Sequence, residues 1–171
     1  MTTDPAERAR LATLIAVQDG RSPVPLLDRA AIDTLFVKRP RIALVGASDK
    51  PGRPSHDTMA ALLRLSADVV PVNPALTEVL GRTCYPTVVA AVAATGPVDI
   101  VDVFRRPEFC AEHARDAVAA GAKCLWLQLG IADEEAGRIA HAAGLGVVMD
   151  RCTLIELQRL VAAVRRQEAQ S

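Results

Sequence analysis

The stretch Arg41-Ile-Ala-Leu-Val-Gly-Ala-Ser-Asp-Lys-Pro-Gly-Arg-Pro-Ser-His-Asp57 constrains the chain most. It opens as a short apolar run, passes through glycine, serine and proline, and takes up a helical pattern at Ser55 or Asp57. A strand that turns tightly into a helix leaves the first helical N–H groups unpaired, at the positive end of aligned peptide dipoles. Such a place accepts an anion, and a phosphorylated ligand is its natural occupant.

The same grammar repeats down the chain. After a helix over Asp57 to Leu65, Asp68-Val-Val-Pro-Val-Asn73 reads as a second strand, Val98 to Phe104 as a third, Cys124 to Gln128 as a fourth and Gly146 to Met149 as a fifth. An Ala/Val helix ends near Gly96-Pro97, another runs from Pro107 to Gly121, and an acid-led one runs from Asp133 to about Ala143. Thr153 is expected to cap a last helix through Arg166, with a frayed tail from Gln167 to Ser171. The strands are continuous apolar runs, the pattern of strands covered on both faces. With right-handed crossovers the expected class is α/β: a doubly wound parallel five-stranded sheet, Rossmann-like, in three α/β/α layers, with strand order 3-2-1-4-5.

Before Arg41 the pattern differs. Thr3 or Asp4 can cap a helix with Pro5 at its first position, and Asp19-Gly20 ends it. Arg21 to Leu27 is irregular; Asp28 can cap a second helix, in which Ile32, Leu35 and Phe36 share a face and which Pro40 closes. These residues are too few to hold a core of their own. Residues 1–40 are therefore expected to be an N-terminal helical extension, and 41–171 the ligand-binding domain.

Composition narrows the function classes. Twenty basic and twenty acidic side chains cancel, so no global field draws nucleic acid or anionic lipid. Only 3% of residues are aromatic although 50% are hydrophobic, which suits helix-on-sheet packing. No apolar run approaches the ~20 residues of a membrane span, and the N-terminus lacks a signal pattern. Cys84, Cys110, Cys124 and Cys152 are scattered, with no C-x-x-C pair and no histidine at metal-ligand spacing. Reduced thiols of a cytoplasmic protein with no metal site are the expectation.

In an open parallel sheet, ligands bind beyond the carboxyl ends of the strands. The residues there are rich in cations, and Arg53, Arg105, Arg106 and Arg151 are expected to gather on one rim. A nicotinamide dinucleotide fits poorly. G-x-G-x-x-G is absent, and the second strand ends in Asn73-Pro74 where an acid would meet the ribose diol. A Walker A loop is absent too. His56 stands at the first helix start, and His113 and His141 lie within helices, where no chemistry is needed to explain them. Asp99 and Asp102 are awkward in a buried strand, so one is expected to reach the carboxyl-end rim or pair with an arginine. Trp126 reads as core.

Val45-Gly-Ala-Ser, Arg53-Pro-Ser55, Pro71-Val-Asn-Pro74, Val98-Asp-Ile-Val-Asp-Val-Phe-Arg105, Trp126-Leu-Gln-Leu-Gly-Ile131 and Val148-Met-Asp-Arg-Cys152, in that order, resemble the small stand-alone coenzyme A-binding protein family. The arrangement is also similar to the nucleotide-binding domain of the succinyl-CoA synthetase α subunit. The resemblance implies coenzyme A as the ligand. Gly46, Ala47, Ser48, Arg53 and Ser55 match the first loop and would supply backbone N–H groups, hydroxyls and a guanidinium to phosphate oxygens. Asn73 and Pro74 match the second-strand turn, beside a ribose carrying a 3′-phosphate. Phe104 and Arg105 would line the groove under the adenine or pyrophosphate, and Gln128 and Gly130 would lie towards the pantetheine arm. The synthetase carries an acid near that glutamine, a departure that argues against acyl-phosphate chemistry here.

Several plainer readings stand beside these. Ser55 can be a helix cap as well as a ligand contact, and Arg105-Arg106 can be a solvated pair. A mixed disulfide with the ligand's own thiol is open to Cys152; a small buried thiol is the simpler reading. Together the residues favour binding of coenzyme A or an acyl-CoA without catalysis, by a sensor, carrier or regulatory protein. The rivals are an NAD(P)- or other dinucleotide-binding redox protein, an acyl-CoA ligase-related enzyme, and an interaction module with a vestigial pocket. The acyl form and the protein partner stay open, and so does a homodimer.

Overall fold

A computed structural model describes residues 4–171. Five parallel strands form the main sheet: β1 (Arg41–Val45), β2 (Asp68–Val72), then, after a short hairpin of β3 (Glu78–Val79) and β4 (Arg82–Thr83), β5 (Ile100–Val103), β6 (Cys124–Leu127) and β7 (Gly146–Val148). The helices are α1 (Pro5–Gln18), α2 (Arg29–Val37), α3 (Pro54–Arg64), α4 (Val88–Thr95), α5 (Cys110–Ala119), α6 (Glu134–Ala142) and α7 (Thr153–Ala169). None is long and apolar enough to cross a membrane among the described residues.

The doubly wound α/β class is as expected, but the strand order is not. The sheet runs β2-β1-β5-β6-β7, which in main-sheet numbering is 2-1-3-4-5 rather than 3-2-1-4-5. Pro71 gives the physical reason. Val72 turns its carbonyl to β1, where Gly46 N donates to it at 3.0 Å, so Pro71 faces the other way. Proline has no N–H to offer a further strand, which confines it to an edge. On that side a short patch pairs instead, with Tyr85 N donating to the Pro71 carbonyl and Asn73 N to the Tyr85 carbonyl. The third long strand instead crosses over to pair with β1. At the opposite edge Leu27 N donates to the Val147 carbonyl, so the segment before α2 shields β7.

Alternation along each strand fills two cores. Ala43, Val45, Val101, Val103, Leu125 and Leu127 face α4, α5 and α6, with Leu14 and Val17 of α1 packed on the same cluster. Ile42, Leu44, Ile100 and Trp126 face α2, α3 and α7. The small side chains of α5 and α6 (Ala114, Ala117, Ala136, Ala140) let those helices lie close to the sheet and to each other. Ile32 and Phe36 of α2 are almost wholly buried against the sheet; burial of each contributes roughly 1.5–3 kcal/mol. Arg159 of α7 ties the two helices further by pairing with Asp33 of α2 and with Glu156.

Several helix ends differ from the sequence reading. Asp4 caps α1, with Pro5 at its first position; the alternative Thr3 lies outside the described residues. Residue 153 begins α7 rather than capping it, because its hydroxyl is taken by Asp102, and Cys152 occupies the cap position. That helix continues to Ala169. Pro107 opens a short 3₁₀ turn, Pro107–Phe109, before α5. The β3–β4 hairpin escaped the reading because two-residue strands carry no periodicity.

Trp126 joins core to loop. Its ring meets Phe36 edge-on, with centroids 5.7 Å apart, and its Nε1 donates to the Arg151 carbonyl at 2.7 Å. Trp126→Phe removes that donor and strands a carbonyl at the start of α7. The expected result is a loss of about 2 kcal/mol, seen as a lower urea midpoint with an unchanged slope; an unchanged midpoint would show the hydrogen bond to be unimportant.

Candidate functional site

The site begins where β1 and β5 part. They remain paired to their last residues, with Phe104 N donating to the Val45 carbonyl at 2.9 Å. β1 then leads to α3 on one face and β5 to α5 on the other, which opens a crevice between them. Gly46 permits the divergence. Its φ is +82°, and a Cβ there would stand 2.5 Å from the Phe104 carbonyl oxygen, so neither the conformation nor the space admits a larger residue.

The following loop is held by its own side chains. Ser48 Oγ accepts from Lys50 N at 3.1 Å, and Asp57 Oδ1 accepts from Gly52 N at 3.1 Å and lies 3.0 Å from His56 Nδ1. The His56 contact, reinforced by the Gly52 N–H, holds the exposed Asp57 carboxyl below its ordinary value. α3 then starts at Pro54, earlier than Ser55 or Asp57. Its cap position is Arg53, which makes no side-chain capping bond. Ser55 is therefore not the cap: the proline ahead of it takes the first helical position, and Ser55 sits second and buried.

Across this crevice lies a cavity of about 900 Å³, at the upper end of the range for small-molecule sites. Of the residues singled out from the sequence, Gly46, Ala47, Ser48, Arg53, Ser55, Asn73, Phe104, Arg105 and Gln128 line it. Pro74 and Gly130 do not. Pro74 is exposed in the turn beside Asn73, and Gly130 faces a separate depression near α1, its N–H donating to Asp150 Oδ1 at 2.7 Å.

The expected cationic rim is present in part. Lys50, Arg53, Arg105 and Arg106 line the cavity, with Asp49 the one acid among its lining residues. Arg106 leans on Glu108 at 3.5 Å, and the Arg105 guanidinium lies over the Phe109 ring at 4.5 Å. Among the described residues, Lys50, Arg53 and Arg105 have no carboxylate partner within salt-bridge reach. Arg151 is absent from this rim. Its Nη1 is 2.9 Å from the buried carboxylate of Glu156, which needs a counter-charge.

Two amide side chains organise the two ends. Asn73 Nδ2 donates to the Ala47 carbonyl at 2.7 Å and its Oδ1 accepts from Ala75 N at 2.8 Å, so it ties the β2 turn to the β1 loop. Gln128 Nε2 donates to Asp102 Oδ1 at 2.7 Å and to Thr153 Oγ1 at 2.9 Å; Thr153 Oγ1 in turn donates to Asp102 Oδ2 at 2.8 Å. With both its hydrogens used inside, Gln128 presents its carbonyl oxygen to the cavity. Asp102 thus reaches neither the rim nor an arginine, and is wholly buried behind Gln128. Asp99 also avoids arginine side chains: it pairs with Lys123 at 2.6 Å and accepts from Arg41 N at 2.9 Å, at the amino end of β5.

Leu129 and Ile131, in the strand-end segment expected to meet the ligand, line the cavity as well, whereas Thr58 and Leu76 were not singled out from the sequence. Thr58 lies three residues beyond Ser55, one helical turn, so the helix period alone could have found it. No cluster of metal-ligating side chains occurs among the described residues.

In a doubly wound sheet the switch point is where ligands bind, and here it holds a cation-rimmed cavity. The CoA binding domain family matches residues 40–158, and the chain belongs to that family. The uncharacterized protein YneT of Bacillus subtilis (strain 168) is 36% identical over 124 residues, covering 72% of this chain and 90% of that one. A solved structure of a hypothetical protein from Pyrococcus horikoshii OT3 is 38% identical, with a TM-score of 0.73 over 79% of this chain and 93% of that one. The dinucleotide-forming acetyl-coenzyme A synthetase 1 of Ca. Korarchaeum cryptofilum is 25% identical, with a TM-score of 0.57, covering 67% of this chain and 27% of the synthetase.

Burial pushes the Asp102 carboxyl up to about 7, against the smaller opposing pull of the Gln128 and Thr153 hydrogen bonds. A carboxyl whose folded value lies above its unfolded one holds its proton longer in the folded state, so stability falls as pH rises from about 4 to about 7 and is level above. Asp102→Asn keeps the shape and removes the titration. Between about pH 5 and about pH 8, wild type should lose on the order of 2 kcal/mol relative to the variant. Urea titrations of both proteins test this, and parallel pH profiles would show that Asp102 does not titrate in this range.

Proposed function

We propose that this protein binds coenzyme A or an acyl-CoA across the carboxyl ends of the sheet, without catalysing a reaction, as a sensor, carrier or regulatory protein. The observation that carries the reading is a set of three cations, Lys50, Arg53 and Arg105, that line the cavity beside the amino end of α3 and have no carboxylate partner. Unpaired, permanently charged donors beside a helix start suit a pyrophosphate. Asn73 at the end of β2 supports coenzyme A over a nicotinamide dinucleotide, since its amide leaves the ribose position without an acid. In this placement the adenosine sits towards Asn73 and Leu76 and the pyrophosphate over residues 46–55. The pantetheine arm then passes Phe104 to Gln128, where an amide oxygen can accept from its N–H groups.

Binding without chemistry is supported by how the polar side chains are used. The cavity lining holds no histidine, and Ser48, Asn73 and Gln128 are all engaged in protein hydrogen bonds. Among the residues that line the cavity, no nucleophile stands beside a base and an orienting group. A second reading, a component of an acyl-CoA synthetase, is favoured by the likeness to the Korarchaeum enzyme; ATP-dependent thioester formation with a panel of short-chain acids would revive it.

Thermal-shift titration separates the ligands, because only a ligand that prefers the folded state raises the melting temperature. Coenzyme A and acetyl-CoA should raise it, and NAD, NADP, FAD and ATP should have little effect. A shift with NAD and none with coenzyme A would overturn the reading. Arg53→Ala should weaken coenzyme A binding about tenfold or more, the value of a charge-assisted hydrogen bond, and leave adenosine binding nearly unchanged. Equal losses for both ligands, measured by calorimetry, would remove the phosphate role from Arg53.

A further inference from the structure

Cys152 lines the same cavity. It occupies the cap position of α7, without a side-chain capping bond, next to Thr153, which is bonded to Asp102 of β5 and to Gln128. The other three thiols are buried away from the cavity. Burial pushes Cys110 and Cys124 up to about 12, far into the unreactive thiol form. Cys152 alone of the four is partly exposed.

The residues around Cys152 are fixed in place. The Arg151 carbonyl accepts from Trp126 Nε1 at 2.7 Å, and Thr153 Oγ1 is locked between Asp102 and Gln128. Both flanking residues are thus anchored to central strands. Beside them Gln128, 5% exposed, lines the cavity, and among the described residues no protein donor reaches its side-chain oxygen. That oxygen awaits a ligand N–H, an observation independent of the thiol.

We infer that Cys152 is a site of thiol–disulfide exchange with the bound ligand, capturing coenzyme A as a mixed disulfide. The inference rests on the reading of the cavity as a coenzyme A site. The oxidant is a disulfide of coenzyme A. The Cys152 thiolate attacks one sulfur, the ligand's S–S bond breaks as the new S–S bond forms, and the second half leaves as coenzyme A thiolate. That thiolate takes up the proton that Cys152 releases. Cys152 is oxidised and the departing coenzyme A is reduced, so electrons balance without another reagent. The cavity then holds a tethered ligand until a cellular thiol reverses the exchange, which gives the site a redox-dependent occupancy.

The test uses the full chain, reduced and desalted, then mixed with coenzyme A disulfide. Intact-mass measurement and peptide mapping should find one coenzyme A per chain, on Cys152, removed by dithiothreitol and absent from C152S. Glutathione disulfide, which lacks the adenosine and pyrophosphate handles, should react at least tenfold more slowly. Attachment to another cysteine, equal rates for the two disulfides, or no adduct would overturn the inference. Calorimetry of wild type with coenzyme A under reductant is run alongside. Binding heat without an adduct removes the exchange and leaves the ligand reading intact, whereas no heat and no adduct removes both.

Discussion

The cavity depends on the close approach of two strand ends. At Gly46 the chain leaves β1 so near the Phe104 carbonyl that a single added carbon would overlap it. This contact keeps β1 and β5 paired to their final residues before the chain turns to opposite faces of the sheet. The crevice, the loop that carries Ser48 and Arg53, and the amino end of α3 all take their positions from it. The β2 turn is then fastened to the same loop by the Asn73 amide. A close-packed backbone junction thus sets the geometry, and cationic side chains supply the charge.

Much of this junction was legible in the amino-acid order. The alternation of apolar runs with helical patterns identifies the fold class, and the rule that ligands bind at strand ends selects Gly46, Ser48, Arg53, Asn73 and Gln128 as neighbours although they are distant in sequence. Strand order was the informative error. Pro71 lies within a good apolar run and so reads as any buried strand; its missing N–H, which makes β2 an edge, was the available signal. Arg151 and Gly130 show another limit. Both follow a strand as the rule requires, but Glu156 and Asp150 draw them elsewhere, and periodicity carries no information about which acid claims which donor.

Asp102 illustrates the same limit in the core. A carboxyl in a central strand reads as a candidate for the rim or for an ion pair. Instead it is satisfied by an amide and a hydroxyl from β6 and α7, groups 26 and 51 residues away along the chain. With no compensating cation among its hydrogen-bond partners, its desolvation is only partly offset. What the arrangement provides is orientation. Gln128 Nε2 and Thr153 Oγ1 both converge on Asp102, which holds the amide nitrogen end of Gln128 inwards.

The division of polar groups between holding and offering bears on function. Asn73, Ser48 and Asp57 secure loops, and Glu156 restrains Arg151. Groups able to shuttle protons at neutral pH are kept off the cavity lining: His56 is turned to Asp57, and His113 stands by Asp116 on α5. What remains at the cavity are the charged groups of Lys50, Arg53, Arg105 and Arg106, with Asp49 the one acid beside them. Of the four thiols, only Cys152 is among the residues that line the cavity.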